Sequence, residues 1–486
     1  MTSSEKTTRA AAVLLLAGIA TLLAACANTG GIRPTHALAD ASAYGAAATA
    51  ETAWPAARWW RDYGDGELDR LVDRALEGQP SLRTVQARLQ VAQAAVDSAG
   101  AAEKPRLDGA VDLTDQRFSK NGIFPPPLAG ATFWLNNAQV NASWELDLFG
   151  RQRAALESSI GQLRAAQADA QAARVQLAGN VATAYFNLAG LIEAREVAVQ
   201  SQQQREQVLA LVRQRIAAGL DTVVELRQAE GLIAQSNVEI EALGEAIGIA
   251  RHALAELTGQ NPQALDTFAP TLAAVRARTL PATLPADLLG RRADLVAQRW
   301  RVEAAMRDVD VARAQFYPNV NLTAFVGLNS LGLDRFLKSG SETYGAGPAL
   351  RLPIFDAGRL RANLSAKSAE VDAAVEGYNG ALLHALREVA DQITSLQSLQ
   401  RQRRAQEGAT DAADAAFELA RQRYQAGLGN FLVVLTAQTN VLAQRRAATD
   451  LKARELAADV ALSRALGGGY VGEPDAAPAP INSASR

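Results

Sequence analysis

The feature that most constrains this 486-residue chain is that it repeats itself. Ser81-Leu82 through Pro105 align with Asp294-Leu295 through Pro318 at a constant offset of 213, which pairs Leu82 with Leu295, Ala92 with Ala305, Val96 with Val309 and Ala99 with Ala312. Farther along the offset settles at 208, and Gly150-Arg151-Gln152-Arg153-Ala154 meets Gly358-Arg359-Leu360-Arg361-Ala362. In that register Arg213-Gln214-Arg215 falls on Arg421-Gln422-Arg423, Ala218-Gly219-Leu220 on Ala426-Gly427-Leu428, Ala229 on Ala437 and Gly259 on Gly467. The chain is therefore two copies of one unit of roughly two hundred residues.

Proline marks where each unit is helical, because an interior proline removes a helix hydrogen bond and clashes with the preceding turn. After Pro125-Pro126-Pro127 the next proline is Pro262, and after Pro353 the next is Pro474. The tract Arg151 to Ala217 is rich in Ala, Gln, Arg, Glu and Leu, and Val175, Ala178, Ala182, Tyr185, Ala189 and Ile192 recur at spacings of three and four. That is a coiled-coil seam on a helix on the order of 100 Å long, at about 1.5 Å per residue. Gly219 and Gly427 each close such a tract and precede a second one, Val223 to Leu257 and Phe431 to Leu466. Each glycine thus reads as the tip of an antiparallel helical hairpin.

Ahead of each long helix the period drops to two. Val140, Ala142, Trp144, Leu146 and Leu148 alternate with Asn141, Ser143, Glu145 and Asp147, and Tyr344, Ala346, Leu350, Leu352 and Ile354 repeat the pattern. Leu107, Val111 and Leu113 alternate with Asp108, Asp112 and Thr114, while Val320, Leu322, Ala324, Val326 and Leu328 alternate with Asn321 and Thr323. Alternation over about ten residues is the pattern of an outer-membrane barrel strand. Four strands cannot close, and open sheet edges cannot sit in lipid, so the chain is expected to oligomerise. Three copies would supply twelve strands, an even number within the usual barrel range.

Lys+Arg 49 against Asp+Glu 51 gives a net charge of -2, which excludes the basic footprint of a nucleic-acid binder. A single cysteine cannot make an intrachain disulfide, and His36, His252 and His384 lie too far apart for metal-ligand spacing. No nucleophile elbow, phosphate-binding glycine loop or metal constellation is present, so catalysis is not expected. Residues 1–25 read as a signal peptide, with Lys6 and Arg9 before an apolar run. Leu23-Ala24-Ala25-Cys26 resembles the bacterial lipoprotein box, which would place N-palmitoyl and S-diacylglycerol chains on Cys26. No other cofactor is expected.

The residues resemble the TolC-like outer-membrane efflux proteins, in the lipoprotein branch that serves resistance-nodulation-division drug pumps. The resemblance rests on the lipobox, on Trp59-Trp60 with Gly64-Asp65, and on Ser143-Trp144-Glu145-Leu146-Asp147-Leu148-Phe149-Gly150-Arg151. Leu352-Pro353-Ile354-Phe355-Asp356-Ala357-Gly358-Arg359, Arg423-Tyr424-Gln425-Ala426-Gly427 and Leu435-Thr436-Ala437-Gln438 complete it. It implies a mainly α fold with a transmembrane β part, in which a homotrimer of duplicated β-β-α-α chains forms a 12-stranded barrel continuous with a periplasmic α-helical coiled-coil barrel. It further implies outer-membrane localisation, export rather than catalysis, and a periplasmic adaptor and an inner-membrane pump as partners.

The expected organisation is a signal peptide at 1–25, a lipidated extended segment at 26–66, a first repeat at 67–260, a linker at 261–285, a second repeat at 286–466 and a disordered tail at 467–486. Strands are expected at about 107–116, 134–148, 319–328 and 344–355, and hairpins at about 151–258 and 358–466. By the resemblance, Gly219-Leu220 and Gly427-Leu428 match the tips on which adaptor hairpins dock. Tyr424 and Glu225 match one gate pair, and Asp221 adds a carboxylate. Val433 and Thr436 stand where the family often carries Asp, and Gly429 where some members carry a linking Arg. A type I protein-secretion duct is the alternative channel reading, and a periplasmic coiled-coil adaptor or structural lipoprotein the alternative outside channels.

Overall fold

A computed structural model describes residues 29–40, 54–272, 275 and 291–470. The expected signal peptide and Cys26 lie outside the described residues, as does most of the linker beyond Leu272. The duplication is visible element by element. The first copy runs α1 (Gly66–Gly78), α2 (Pro80–Ala102), β1 (Arg106–Arg117), β2 (Thr132–Leu146), α3 (Arg151–Ala217) and α4 (Val223–Leu257). The second runs α5 (Ala293–Ala314), β3 (Asn319–Leu331), β4 (Glu342–Arg351), α6 (Arg359–Gln425) and α7 (Phe431–Ala465). Both long helices have 67 residues and both return helices have 35. None of the described helices is apolar enough over its length to cross a membrane.

The chain divides into two compact units. Of the described residues, the first holds 29–38, 89–166 and 298–378. Its sheet has the order β1-β2-β3-β4, antiparallel throughout. The registers put Leu107, Ala142, Ala324 and Ala346 on one row, and Leu146, Val320 and Leu350 on another. Because side chains alternate along a strand, these rows belong to a single face, which also carries Val111, Val140, Trp144, Leu322, Val326 and Tyr344. All six are exposed, from Leu322 at 39 % to Tyr344 at 80 %. The opposite face carries Asp108, Asp112, Asn137, Gln139, Asn141, Glu145, Asn321 and Thr323. An apolar exposed face backed by a polar one, with β1 and β4 left as open edges, suits a sheet wetted by lipid on one side and water on the other.

Three strand ends differ from expectation: β3 runs on to Leu331, past the expected 328, and two strands stop short. β2 stops at Leu146 rather than 148, and β4 stops at Arg351 rather than 355, so Leu352 and Ile354 lie beyond the ladder. The cause is local. Asp147 Oδ2 accepts from the Arg153 amide at 2.8 Å, and Asp356 accepts from the Leu360 amide at 2.8 Å, so both carboxylates already serve the starts of the long helices. Pro353 has no amide to give a ladder. Below the sheet α3 and α5 pack through small residues: a side-chain carbon at Gly161 would lie 3.0 Å from the Ala304 methyl. Arg164 stacks on Trp300 at 4.4 Å, and Arg307 bonds Glu157 at 3.1 Å.

Of the described residues, the second unit holds 39–40, 54–88, 167–272, 275, 291–297 and 379–470. Its upper core gathers Trp59, Trp60, Tyr63, Leu68, Tyr185, Phe186, Leu188 and Leu254, with Tyr63 edge-on to Phe186 at 5.1 Å. This explains the Trp59-Trp60, Gly64-Asp65 motif. Asp65 caps α1 through the Glu67 and Leu68 amides, and its other oxygen accepts from the Tyr185 hydroxyl. The segment expected to be extended to residue 66 therefore ends earlier, in a 3-10 turn over Trp59–Tyr63. The expected tail also starts too early. Gly467 and Gly468 donate to Arg464 and Ser463 carbonyls at 2.8 Å, closing α7, and both are buried. Residues 471–486 lie outside the described part.

Candidate functional site

The two hairpin tips lie side by side in the second unit. The first turns at Gly219 with φ 71° and the second at Gly427 with φ 75°. In both, the amide after the glycine closes back across the turn: Leu220 donates to the Arg215 carbonyl at 2.8 Å, and Leu428 to the Arg423 carbonyl at 2.8 Å. Glycine is needed because that left-handed backbone strains any residue with a side-chain carbon. Leu220, Val223 and Val224 on one tip, and Leu428, Leu432 and Val433 on the other, are exposed apolar residues. Above them Val208, Val212, Ala229, Phe417, Ala420, Tyr424, Phe431 and Val434 form a shared core.

Asp221 sits where the first tip meets that core. Arg215 donates to it from Nε at 3.0 Å and from Nη2 at 3.3 Å, and the Tyr424 hydroxyl donates to Asp221 Oδ2. Arg215 also donates from Nη1 to the Tyr424 carbonyl at 2.8 Å, and its guanidinium lies 4.4 Å over the Tyr424 ring. Tyr424 is 1 % exposed, and the Asp221 and Arg215 side chains are 8 % and 12 % exposed. Burial, with the Asp221 carboxylate beside it, pushes the Tyr424 hydroxyl far above its ordinary value, so it stays a donor. The hydrogen bond to Asp221 raises Arg215 in turn.

Of the expected gate residues, the structure brings Asp221 and Tyr424 together and leaves Glu225 apart. Glu225 accepts from the Thr222 amide at 2.9 Å and from the Thr222 hydroxyl at 2.5 Å, while Thr222 Oγ1 accepts from the Val224 amide at 3.2 Å. That is a capping box for α4. Its hydrogen bond to the Thr222 side chain, then those to the backbone, hold the Glu225 carboxyl below the usual range. Asp221 therefore does not add a free negative charge to the tip, since Arg215 neutralises it. Arg215 is the residue that sequence reasoning passed over. Its signal was present: the repeat keeps Arg423 but puts Gly429 where Asp221 stands, so only Arg215 has an acid within reach.

Among the described residues no cluster of three His, Cys, Asp or Glu could hold a metal ion.

Residues 71–260 and 284–468 match the family described as outer membrane efflux protein. The chain belongs to that family. It is 38 % identical over 375 residues to the fusaric acid resistance protein FusA of Burkholderia cepacia, covering 75 % of this chain and 70 % of that one. It is 32 % identical over 433 residues to the multidrug resistance outer membrane protein MdtP of Escherichia coli strain K12, covering 87 % and 89 %. The crystal structure of the outer membrane protein VceC of Vibrio cholerae superposes with a TM-score of 0.80 at 36 % identity, over 86 % of this chain and all of that one. The chain is thus an outer-membrane efflux channel protein, and its amphipathic sheet is the part that enters the outer membrane.

Proposed function

We propose that this chain works as a homotrimer, a duct that carries drugs or other small molecules across the periplasm and the outer membrane without catalysing a reaction on them. The observation that carries this is the four-stranded sheet with one continuous apolar face and both edge strands unpaired within the chain. Lipid offers no partner for the amides of β1 and β4, so each edge must meet a neighbour. Three copies make twelve strands, with the apolar face toward lipid and the polar face toward the lumen.

A periplasmic adaptor docks on the exposed tips at Gly219-Leu220 and Gly427-Leu428, and a resistance-nodulation-division pump in the inner membrane feeds the assembly. Acyl chains on Cys26 supply a second attachment to the outer membrane. The contacts among Arg215, Asp221 and Tyr424 hold the two hairpins of one protomer together at the periplasmic entrance. Opening requires one hairpin to leave the other, which breaks them.

The test is the mass of the detergent-purified protein, followed by drug export in cells that keep an adaptor and pump but lack their outer-membrane channel. A trimer that restores resistance supports the proposal. A monomer, or a trimer that leaves the cells sensitive while reaching the outer membrane, refutes it. Mass spectrometry of the N-terminal peptide, with or without the three acyl chains on Cys26, decides the anchor separately.

A further inference from the structure

Where β2, β3 and β4 meet the helices, the first unit carries an open recess of about 440 Å³. Its wall combines Glu145, Arg151, Arg351 and Arg359 with Phe149 and Tyr317. Register fixes which side of the sheet the recess's strand residues occupy. Glu145 pairs with Asn321, and Arg351 with Asn319, one step from the lipid-side row of Leu146, Val320 and Leu350. Glu145, Asn319 and Arg351 stand on the polar face, the one that lines the lumen in the proposed trimer, while Leu146, also in the wall, belongs to the lipid-side row at the last rung of the β2–β3 ladder. The three strands are neighbours within one chain, so the recess is complete in each protomer.

The charges in it do not cancel. Arg151 grips Glu145 with both of its oxygens, from Nη2 at 2.6 and 2.7 Å and from Nε at 3.1 Å. Asp147, also in the wall, is engaged by the Arg153 amide at 2.8 Å. Arg351 and Arg359 have no side-chain hydrogen bond or ion pair among the described residues, and both are exposed. The starts of α3 and α6, at Arg151 and Arg359, are already capped by Asp147 and Asp356, so the two guanidiniums are the free positive charge here. Against this the Phe149 and Tyr317 rings stack at 4.7 Å and 11°. Although stacked on each other, they remain 45 % and 41 % exposed. Two unengaged guanidiniums beside a stacked aromatic pair, in a recess of ligand-holding size, fit a planar ring bearing an acid group.

We infer that this recess is a binding station on the duct wall for small aromatic carboxylates or sulfonates, with Arg351 and Arg359 holding the acid group and Phe149–Tyr317 the ring. The inference deepens the proposed duct and rests on it for the luminal placement. Exported anions would dwell here, at the inner end of the barrel, before leaving through it.

The test is equilibrium dialysis of 1-naphthoate against the full-length trimer in detergent, corrected with a detergent blank. Saturable binding approaching one molecule per protomer is expected, with acetate and 1-naphthylmethylamine weaker by about ten-fold or more. The Arg351→Gln/Arg359→Gln double variant should weaken naphthoate by at least about ten-fold, and Arg351→Lys/Arg359→Lys, which keeps the charge, by only about three-fold. Tyr317→Leu should erase the preference for naphthoate over acetate. Undiminished affinity in the Gln variant, or equal binding of the amine and the acid, overturns the inference. If the Gln variant does not form a trimer, the comparison of acid with amine on the wild type and the Tyr317→Leu result still decide. Conductance of the wild type in planar bilayers is recorded in parallel. A conducting trimer with no preference for naphthoate sinks this inference alone, whereas a non-conducting, monomeric protein sinks the duct.

Discussion

At the tip of the first hairpin Arg215, Asp221 and Tyr424 form a buried knot, and at the tip of the second the repeat-related Arg423 and Gly429 form nothing of the kind. The backbones match closely: glycine at φ 71° and 75°, each followed by the same 2.8 Å closure onto an arginine carbonyl. What differs is one side chain in each copy: Asp221 stands against Gly429, and Tyr424 against Ile216. With Asp221 present, Arg215 folds inward and the Tyr424 hydroxyl finds an acceptor; with Gly429 in its place, Arg423 stays exposed. Duplication supplied two equal scaffolds, and divergence at one position per copy turned them into complementary halves. The acid and base come from the first copy and the tyrosine from the second, so the knot can exist only between hairpins.

The largest expected effect follows from that asymmetry. Arg215→Met leaves the Asp221 carboxylate buried without its cation, which should destabilise the tips by roughly 3–5 kcal/mol, whereas Arg423→Met should stay within about 0.5 kcal/mol. Hydrogen exchange of the amides at 208–226 and 416–434 measures both, and equal effects would break the comparison. Tyr424→Phe is next. It keeps the ring against Phe431 and removes only the hydroxyl, at a cost of roughly 1.5–3 kcal/mol for a hydrogen bond to a charged group, read in the same amides. The two glycines test the shared scaffold. Gly219→Ala and Gly427→Ala meet no neighbouring atom within 4 Å, so each should lose only the backbone term of about 1–2 kcal/mol, and the two losses should be equal.

Acid has the smallest effect and the sharpest contrast. Glu225 has its carboxyl held below the ordinary 4.5. The stability it contributes is therefore complete above that value and is lost as pH falls below it. The start of α4 should fray in that window, while the start of α7, capped by Asn430 accepting from the Val433 amide at 3.1 Å, should not respond. Amide exchange at both starts between neutral and acid pH checks this.

The helices were legible because two signals agreed. Proline-free tracts bounded by glycine predicted Arg151–Ala217 and Val223–Leu257 to the residue, and the second copy repeated the pattern. The strands were legible in position but not in length, since alternation continues past Leu146 and Arg351 in the sequence while Asp147, Pro353 and Asp356 are already committed to helix starts. The tip was only partly legible. That Glu225 caps a helix could be read from its place three residues after Thr222, a spacing that competes with any gate role. That Asp221 reaches Tyr424 could not be read, because residues 203 positions apart meet only through the packing of two hairpins. The recess under the sheet is of the same kind: Phe149 and Tyr317 come from different repeats.

In the proposed duct, the contacts around Asp221 hold the periplasmic end shut. Single-channel recording of the purified trimer in planar bilayers tests it most directly, comparing the wild type with Tyr424→Phe and Asp221→Asn. Brief or small openings are expected from the wild type and longer, larger conductance steps from both variants, with Arg423→Met indistinguishable from the wild type. Variants that conduct as the wild type does, or an Arg423→Met channel that opens as widely as they do, would contradict it.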